Sequence, residues 1–542
     1  MTNPPSRTLR LAALLLATLS FQGYAAATGP LRLGGDERIL ILAPHPDDES
    51  IAAGGLIQEA LALDAPVRVC FFTMGDNNEI SFLFTRKHPV LMPGAVRSMG
   101  ELRQNEALAA TAQLGLSADD VVFLGYPDYG TLEIWNHHWR AVPPFRSMLT
   151  RVTAVPYERA LTPGSAYAGE DIVDDLAEVI RDFRPTHVAL SHPADHNVDH
   201  RALYLFARVA LWILEAEGIA PELLAFPVHF TQWPEPRHYH PLRPAAPPHF
   251  LDEEIGWMEY ALAPFQISNK LAAIQRHHSQ YLYSSGYLDS FARKSELFGD
   301  FRDISLPGGS GSADLAEDDL SQFRPDEEFL QELASPSGPG SALADQRAAE
   351  SADLGEQDND FLRRSISGDG THLILSFRFQ KPLSRFATLS VSLFGYRADT
   401  PFGEMPKIAL ELTPRKIVAV KDLDASLPAH SVERIEGDAD EIALRVPFSL
   451  LGDPERILTG AHLSKGSLPV DWVAWRAIDL SGAPPPAPPA APGRKPPAPP
   501  EPAMRRAVEP PPPAKPVPLM PRVNLPRKTL PERTEANEPV LW

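Results

Sequence analysis

The chain has 542 residues, 50 Lys and Arg against 70 Asp and Glu, a formal net charge of −20, one cysteine and 57 prolines. The length predicts several domains, because single cores stop growing near about 250–300 residues. The acidic balance excludes a general nucleic-acid binder, which needs a basic face, and the lone Cys70 excludes an internal disulfide framework or a cysteine-rich metal cluster.

In chain order, residues 1–27 read as a secretory signal. Arg7 and Arg10 precede an apolar run over residues 11–21, and Ala25-Ala26-Ala27 follows. The run is too short to cross a bilayer of about 30 Å. The expectation is cleavage near Thr28, export to the periplasm or beyond the cell, and no integral membrane span in the mature chain.

Residues 35–303 alternate short β-branched runs with longer helical stretches. Strands are expected over residues 38–42, 67–72, 121–124 and 186–190, and helices over 50–63, 96–114, 172–183 and 201–216. Such alternation implies βαβ units and a Rossmann-like α/β domain, its mainly parallel sheet covered by helices on both faces. A proline- and aromatic-rich excursion over residues 127–169 is expected to loop over the carboxyl edge of that sheet.

Residues 304–360 are rich in Gly, Ser, Asp and Glu and read as an acidic linker. Over residues 361–480 the periodicity switches to two, with strands expected at 373–377, 388–393, 408–412, 417–420, 442–446 and 470–475. Short strands without a long helix predict a β-sandwich. Residues 481–542 hold about 21 of the prolines and form a low-complexity tail, polyproline-like or disordered, whose partner is unknown.

The chemistry gathers where two strands end. The first runs into Pro44-His45-Pro46-Asp47-Asp48-Glu49, followed by Gly54-Gly55. Ligands of open α/β sheets bind beyond the carboxyl ends of strands, and His45 with Asp48 can chelate one ion such as zinc. A capped helix start explains the same residues equally well, with Asp47 or Asp48 as the cap. The strand ending at Leu190 breaks the tie: it runs into Ser191-His192-Pro193-Ala194-Asp195-His196-Asn197-Val198-Asp199-His200-Arg201. Two histidines and a carboxylate, with a fourth position left to water, make a catalytic zinc site.

These motifs resemble those of the LmbE-like (PIG-L-type) metal-dependent N-acetylglucosamine deacetylases. The resemblance rests on Pro44 to Glu49 with Gly54-Gly55, and on Arg103 and Glu106 before Leu114-Gly115. Leu124-Gly125-Tyr126-Pro127-Asp128, Asp199-His200-Arg201-Ala202, Lys270 and Ser279-Gln280 continue it in order. It implies that His45, Asp48 and His200 bind Zn2+ or another divalent metal, and that Asp47 is the general base that takes the proton of the attacking water. Arg103 and Asp128 would orient sugar hydroxyls, a surface ion pair and a turn aspartate being their ordinary readings.

The second motif departs from the family pattern, which reads H-P-D-H. Aligned on Asp199-His200, it places Asn197 where the oxyanion-stabilising histidine belongs; aligned on Asp195-His196, it makes His196 the ligand and His192 its neighbour. His200 is preferred, because Arg201-Ala202-Leu203 then opens a helix as in the family. The oxyanion donor is then either His196 or Asn197.

The resemblance implies a zinc-dependent hydrolase that removes the N-acetyl group from a GlcNAc-type sugar or glycoconjugate. The alternatives are a longer-chain N-deacylase or amidase on an amino-sugar conjugate, and an inactive carbohydrate-binding envelope protein. In the sandwich, Trp472, Trp475, Tyr396 and Phe394 either stack on sugar or fill its core, the core being the expected place.

Overall fold

The computed structural model describes residues 29–77, 92–140, 143–230, 233–248, 255–316, 361–466 and 468–482. The expected signal, residues 317–360 of the expected linker, and the tail from residue 483 lie outside the described residues. Among the described residues no helix is long and apolar enough to cross a membrane.

Strands β1 (Gly29–Pro30), β2 (Ile39–Ala43), β3 (Val67–Thr73), β4 (Val121–Tyr126), β5 (His187–Ser191), β6 (Glu222–Phe226), β7 (Gly256–Ala261) and β8 (Ser295–Asp300) form one sheet. Its order is β1-β7-β8-β6-β5-β2-β3-β4. From β6 across to β4 every neighbouring pair is parallel, and β8 runs antiparallel to both β6 and β7. All five residues of β2 are buried, which is why its sequence is a continuous apolar run rather than an alternating one.

The chain leaves β2 towards β3 and β4 on one side and returns to β5 and β6 on the other. That reversal is a topological switch point, and the loops after β2 and β5 part there to leave a crevice. Helices α1 (Asp48–Ala62), α2 (Pro93–Leu114), α3 (Thr131–His137), α4 (Gly169–Phe183), α5 (Val198–Leu214), α6 (Pro264–Ile274) and α7 (His278–Asp289) accompany the sheet. Helix α1 lies deep: a Cβ on Gly55 would stand 2.1 Å from Cδ2 of Leu262. Its backbone is anchored by Glu296, whose carboxylate accepts from the N–H groups of Gly55 and Leu56 and pairs with Lys270 at 2.6 Å.

The excursion after β4 differs from a plain loop. It contains α3 and buries Trp135, Trp139, Val155, Tyr157 and Tyr167. These apolar side chains hold the segment down against the domain, which its prolines do not reveal.

The second body has two antiparallel-rich sheets. One is β10-β11-β12-β18-β17 and the other β16-β15-β14-β13-β19-β20-β9. Its strands are β9 (Ile304–Ser305), β10 (Ser310–Ala316), β11 (Phe361–Asp369), β12 (His372–Phe379), β13 (Ala387–Tyr396), β14 (Lys407–Thr413), β15 (Lys416–Asp422), β16 (Ala425–Leu427), β17 (Glu433–Ile435), β18 (Glu441–Pro447), β19 (Arg456–Lys465) and β20 (Leu468–Asp479). The boundary expected at residue 361 therefore falls earlier. Residues 304–316, expected as linker, pair with β20 and β11. Their Gly, Ser and Asp content conceals Ile304, Leu306 and Leu315, which enter the sandwich core, and β10 is held by its ladder with β11 rather than by strand propensity.

The sandwich is fused to the α/β body by an aromatic interface. Trp135 stacks on Phe394 at 5.3 Å, Trp139 meets Phe402 edge-on at 4.7 Å, and Trp212 lies 5.1 Å from Tyr396. Trp475 stands edge-on to Trp135 at 5.9 Å. Phe394, Tyr396 and Trp475 thus neither stack on sugar nor fill the sandwich interior; they join one cluster with the α/β core. Such rings contribute both apolar area and edge-to-face attraction.

Candidate metal centre

The turn after β2 sets the site. Asp47 occupies the position before α1 with φ +139°, a backbone conformation that residues with a Cβ rarely adopt and that surrounding contacts must hold in place. Ser50 and Ile51 donate their N–H groups to its carbonyl, and its own N–H donates to Oε2 of Glu49 at 3.0 Å. Glu49 in turn meets Nε2 of His277 at 2.8 Å. Asp47 makes no side-chain capping bond, so the helix-cap reading of this motif does not account for its carboxylate.

Three donor atoms meet beside it. His45 Nδ1 stands 3.3 Å from Asp48 Oδ2, Asp48 Oδ2 stands 3.2 Å from His200 Nε2, and His200 Nε2 stands 3.3 Å from His45 Nδ1. Donors bound tetrahedrally to zinc at about 2.0–2.1 Å are separated by about 3.3–3.4 Å. The triangle therefore matches one face of such a coordination sphere, and two imidazoles with one carboxylate are a zinc-like donor set. A donor nitrogen of His229 joins the three, all four lying within 4.8 Å of one another.

The outward nitrogens of both imidazoles are held by carboxylates. His45 Nε2 lies 3.2 Å from Asp128 Oδ1 and 3.3 Å from Asp199 Oδ2, and His200 Nδ1 lies 3.1 Å from Asp195 Oδ2. Such partners fix ring orientation and raise the basicity of the inward nitrogen. Burial disfavours a charge on His200, but Asp195 and Asp48 outweigh it and raise its pKa to about 9. Burial likewise raises Asp47 to about 6, opposed by the positive charge of Arg103.

The residues expected to orient sugar are placed otherwise. Arg103 is 3% exposed; it donates to the carbonyls of Gly75 and Pro46 at 2.9 and 2.6 Å and stands 3.4 Å from Asp47 Oδ1. Asp128, 7% exposed, faces His45 and accepts from the N–H of Asn77 at 2.9 Å. Both are directed at the candidate site, Arg103 from within α2 and Asp128 from the loop after β4. Burial favours charged groups only when they are paired.

The two oxyanion candidates are also elsewhere. Asn197 caps α5, its Oδ1 accepting from the N–H of Asp199 at 2.8 Å. The His196 ring lies 5.9 Å from Phe230 and 6.0 Å from Trp472. The structure thus brings His200, and not His196, to His45 and Asp48. His192, its neighbour in the alternative alignment, is fully buried beside Trp257 and Phe301, where burial pushes its pKa down to about 3.

His229 was not found by sequence reasoning. It follows β6, its N–H donates to Asp195 Oδ2 at 2.9 Å, and its ring lies 4.7 Å from that of His200. The available signal was positional: a histidine three residues beyond the end of a parallel strand next to β5.

Residues 40–211 match the family model described as "PIG-L: GlcNAc-PI de-N-acetylase". The chain carries a PIG-L family domain. Among curated proteins it is similar to the 1D-myo-inositol 2-acetamido-2-deoxy-alpha-D-glucopyranoside deacetylase of Mycobacterium sp. (strain KMS), 30% identical over 163 residues, or 30% of this chain and 45% of that protein. The protein of the same description from Tsukamurella paurometabola is 28% identical over 195 residues, covering 34% and 58%. The chain spans about half the length of the curated relatives it matches. Among solved structures, N,N'-diacetylchitobiose deacetylase from Pyrococcus horikoshii is 17% identical, with a TM-score of 0.30, over 55% of this chain and 94% of that one. The PIG-L domain contains His45, Asp47, Asp48 and His200, while His229 and the whole sandwich lie beyond the matched segment.

Proposed function

We propose that the protein is a metal-dependent hydrolase that removes the N-acetyl group from a GlcNAc-type sugar or glycoconjugate. The observation that carries this reading is the triangle of His45 Nδ1, Asp48 Oδ2 and His200 Nε2, with the carboxylate of Asp47 beside it and unused for capping. His45, Asp48 and His200 would hold a divalent ion, zinc being the best match to the donors. When bound, the ion supplies Lewis acidity to the water nucleophile and the amide oxygen.

The chain's own residues do the rest. Asp47 takes the proton from the attacking water and returns it to the sugar nitrogen as the C–N bond breaks, so that acetate and a free amine leave. Arg103 fixes Asp47 by holding the carbonyl of Pro46 next to it. His229, held neutral chiefly because burial pushes its pKa down, donates a hydrogen bond to the oxygen that gains charge. We assign it the role that the sequence left open between His196 and Asn197. We further propose that the protein is exported, on the strength of residues 7–27.

The test is acetate and amine release from N-acetylglucosamine oligomers and glycolipids by the metal-loaded full chain. Asp47→Ala and His200→Ala are expected to lower kcat by at least about a hundredfold, and His229→Ala by about a hundred- to a thousandfold. Turnover surviving both of the first two changes would sink the mechanism. Release of longer acyl chains but not acetate would identify a deacylase, and sugar affinity without turnover under any divalent metal would identify a binding protein.

A further inference from the structure

Next to the ligand His200, Arg201 turns away from the PIG-L domain. Its guanidinium lies 4.2 Å from the ring centre of Trp472, a sandwich residue on β20. Among the described residues no carboxylate pairs with it, and its buried Nε has no hydrogen-bond partner. The acid whose charge acts on it, Asp195, is engaged elsewhere: Oδ1 accepts from the N–H of Asn197 at 2.8 Å, while Oδ2 accepts from the N–H of His229 at 2.9 Å and faces His200. His196 lies edge-on to the same tryptophan at 6.0 Å, and His462 opposes Trp472 across the β19–β20 ladder. Arg201, His196 and Trp472 are partly exposed and His462 is exposed, so the patch reaches solvent.

A guanidinium partly removed from water without an anion is unfavourable, and stacking on an indole offsets only part of that. Stacking also leaves the in-plane N–H donors free at the edge of the ring, in the geometry that receives two oxygens of one anion. Among the described residues no carboxylate is paired with that edge.

We propose that Arg201 and Trp472, one from each body, form a subsite for a carboxylate or phosphate carried on the substrate beside the N-acetylated sugar. This rests on the deacetylase reading, and it makes the sandwich a working wall of the active site. Because Arg201 follows a metal ligand directly, an anion seated there would hold the adjoining sugar close to His200. The ligand class is an acidic or phosphorylated amino-sugar conjugate rather than a neutral chitin-type oligomer.

The test compares the metal-loaded full chain on three substrates: N,N'-diacetylchitobiose, a GlcNAc–glucuronate disaccharide and N-acetylglucosamine 1-phosphate. The wild type is expected to favour at least one anionic substrate by about tenfold or more in kcat/KM, with KM rising as salt is added. In Arg201→Gln that preference falls to about one and the salt dependence is lost, while Arg201→Lys keeps part of both. The two acidic substrates separate carboxylate from phosphate. Binding of the same three sugars to Asp47→Asn protein, followed by calorimetry, scores the anion preference without turnover. Failure of all three to be hydrolysed would therefore count against the deacetylase reading, whereas equal binding and equal kcat/KM for neutral and acidic sugars would overturn the subsite. An equal loss on all substrates in Arg201→Gln would also overturn it, marking the residue as interdomain cement.

Discussion

Arg103 donates to the carbonyl of Pro46 at 2.6 Å and stands 3.4 Å from the carboxylate of Asp47. One side chain thus governs both the position of the proposed base and its charge. Burial raises Asp47 to about 6 and Arg103 pulls it back. As a base Asp47 must be ionised, so kcat/KM of the metal-loaded protein should fall as pH drops through its pKa, at or below about 6, since a bound cation lowers it further. Arg103→Gln removes a positive charge and should move this acid limb to higher pH. A pH–rate profile checks it; an unmoved limb would mean that Arg103 acts on neither the charge nor the place of Asp47.

Metal binding should release protons. In the metal-free protein Asp195 and Asp48 raise His200 to about 9, so at neutral pH an entering ion displaces the proton on Nε2. Apparent affinity is then expected to rise with pH, with close to two protons released per ion at neutral pH, because His45, against its burial, is raised well above its ordinary value by Asp128, Asp199 and Asp48. Calorimetry in two buffers of different ionisation enthalpy measures this. Asp195→Asn should weaken zinc binding by about ten- to a hundredfold and reduce the proton release.

Asp76 offers a stability test away from the donor triangle. It is 5% exposed and accepts from the hydroxyl of Tyr157; burial raises its pKa from 3.8 to about 7, with Asp128 adding to the rise. Because the folded pKa is the higher one, the folded state binds the proton more tightly. Its contribution is present below about pH 4 and is lost as pH rises to about 7. Asp76→Asn should therefore gain stability relative to wild type across that window, at about 1.4 kcal/mol per unit, and hold a constant difference above it. Urea unfolding at pH 4.5, 6 and 8 reads the difference directly.

Lys270 and Glu296 form a pair in which both side chains are 1% exposed. Glu296 also takes the N–H groups of Gly55 and Leu56 in α1. Lys270→Met would leave a carboxylate buried without its cation, a loss of about 3–5 kcal/mol. The double change Lys270→Met with Glu296→Gln should cost less than the single one, because no charge is then stranded. Thermal unfolding of the four proteins forms the cycle, and a double change costing as much as the sum of both singles would refute the coupling.

Much of the site was legible because its first half is contiguous. His45, Asp47 and Asp48 fall within four residues at the end of an apolar strand, and local order alone places them at the sheet's carboxyl edge. His200 was preferred over His196 from the helix that Arg201-Ala202-Leu203 opens, and the structure brings that residue to the triangle. The start of the sandwich was misplaced because β10 has the composition of a linker and gains its order from β11. Arg103 and Asp128 were given to the substrate because nothing local shows that they turn towards Asp47 and His45.

The alternation of strand and helix, the motif after β2 and the change to a sandwich are local features of the chain. These are written in periodicity and in short-range spacing. Which carboxylate backs which imidazole, that His229 stands with the donor triangle, and that Arg201 meets Trp472 are properties of the folded chain. Apart from Asp195 and His200, five positions apart, those relations join residues dozens to hundreds of positions apart, and a chain brings such residues together only when its sheet order and its two cores have formed.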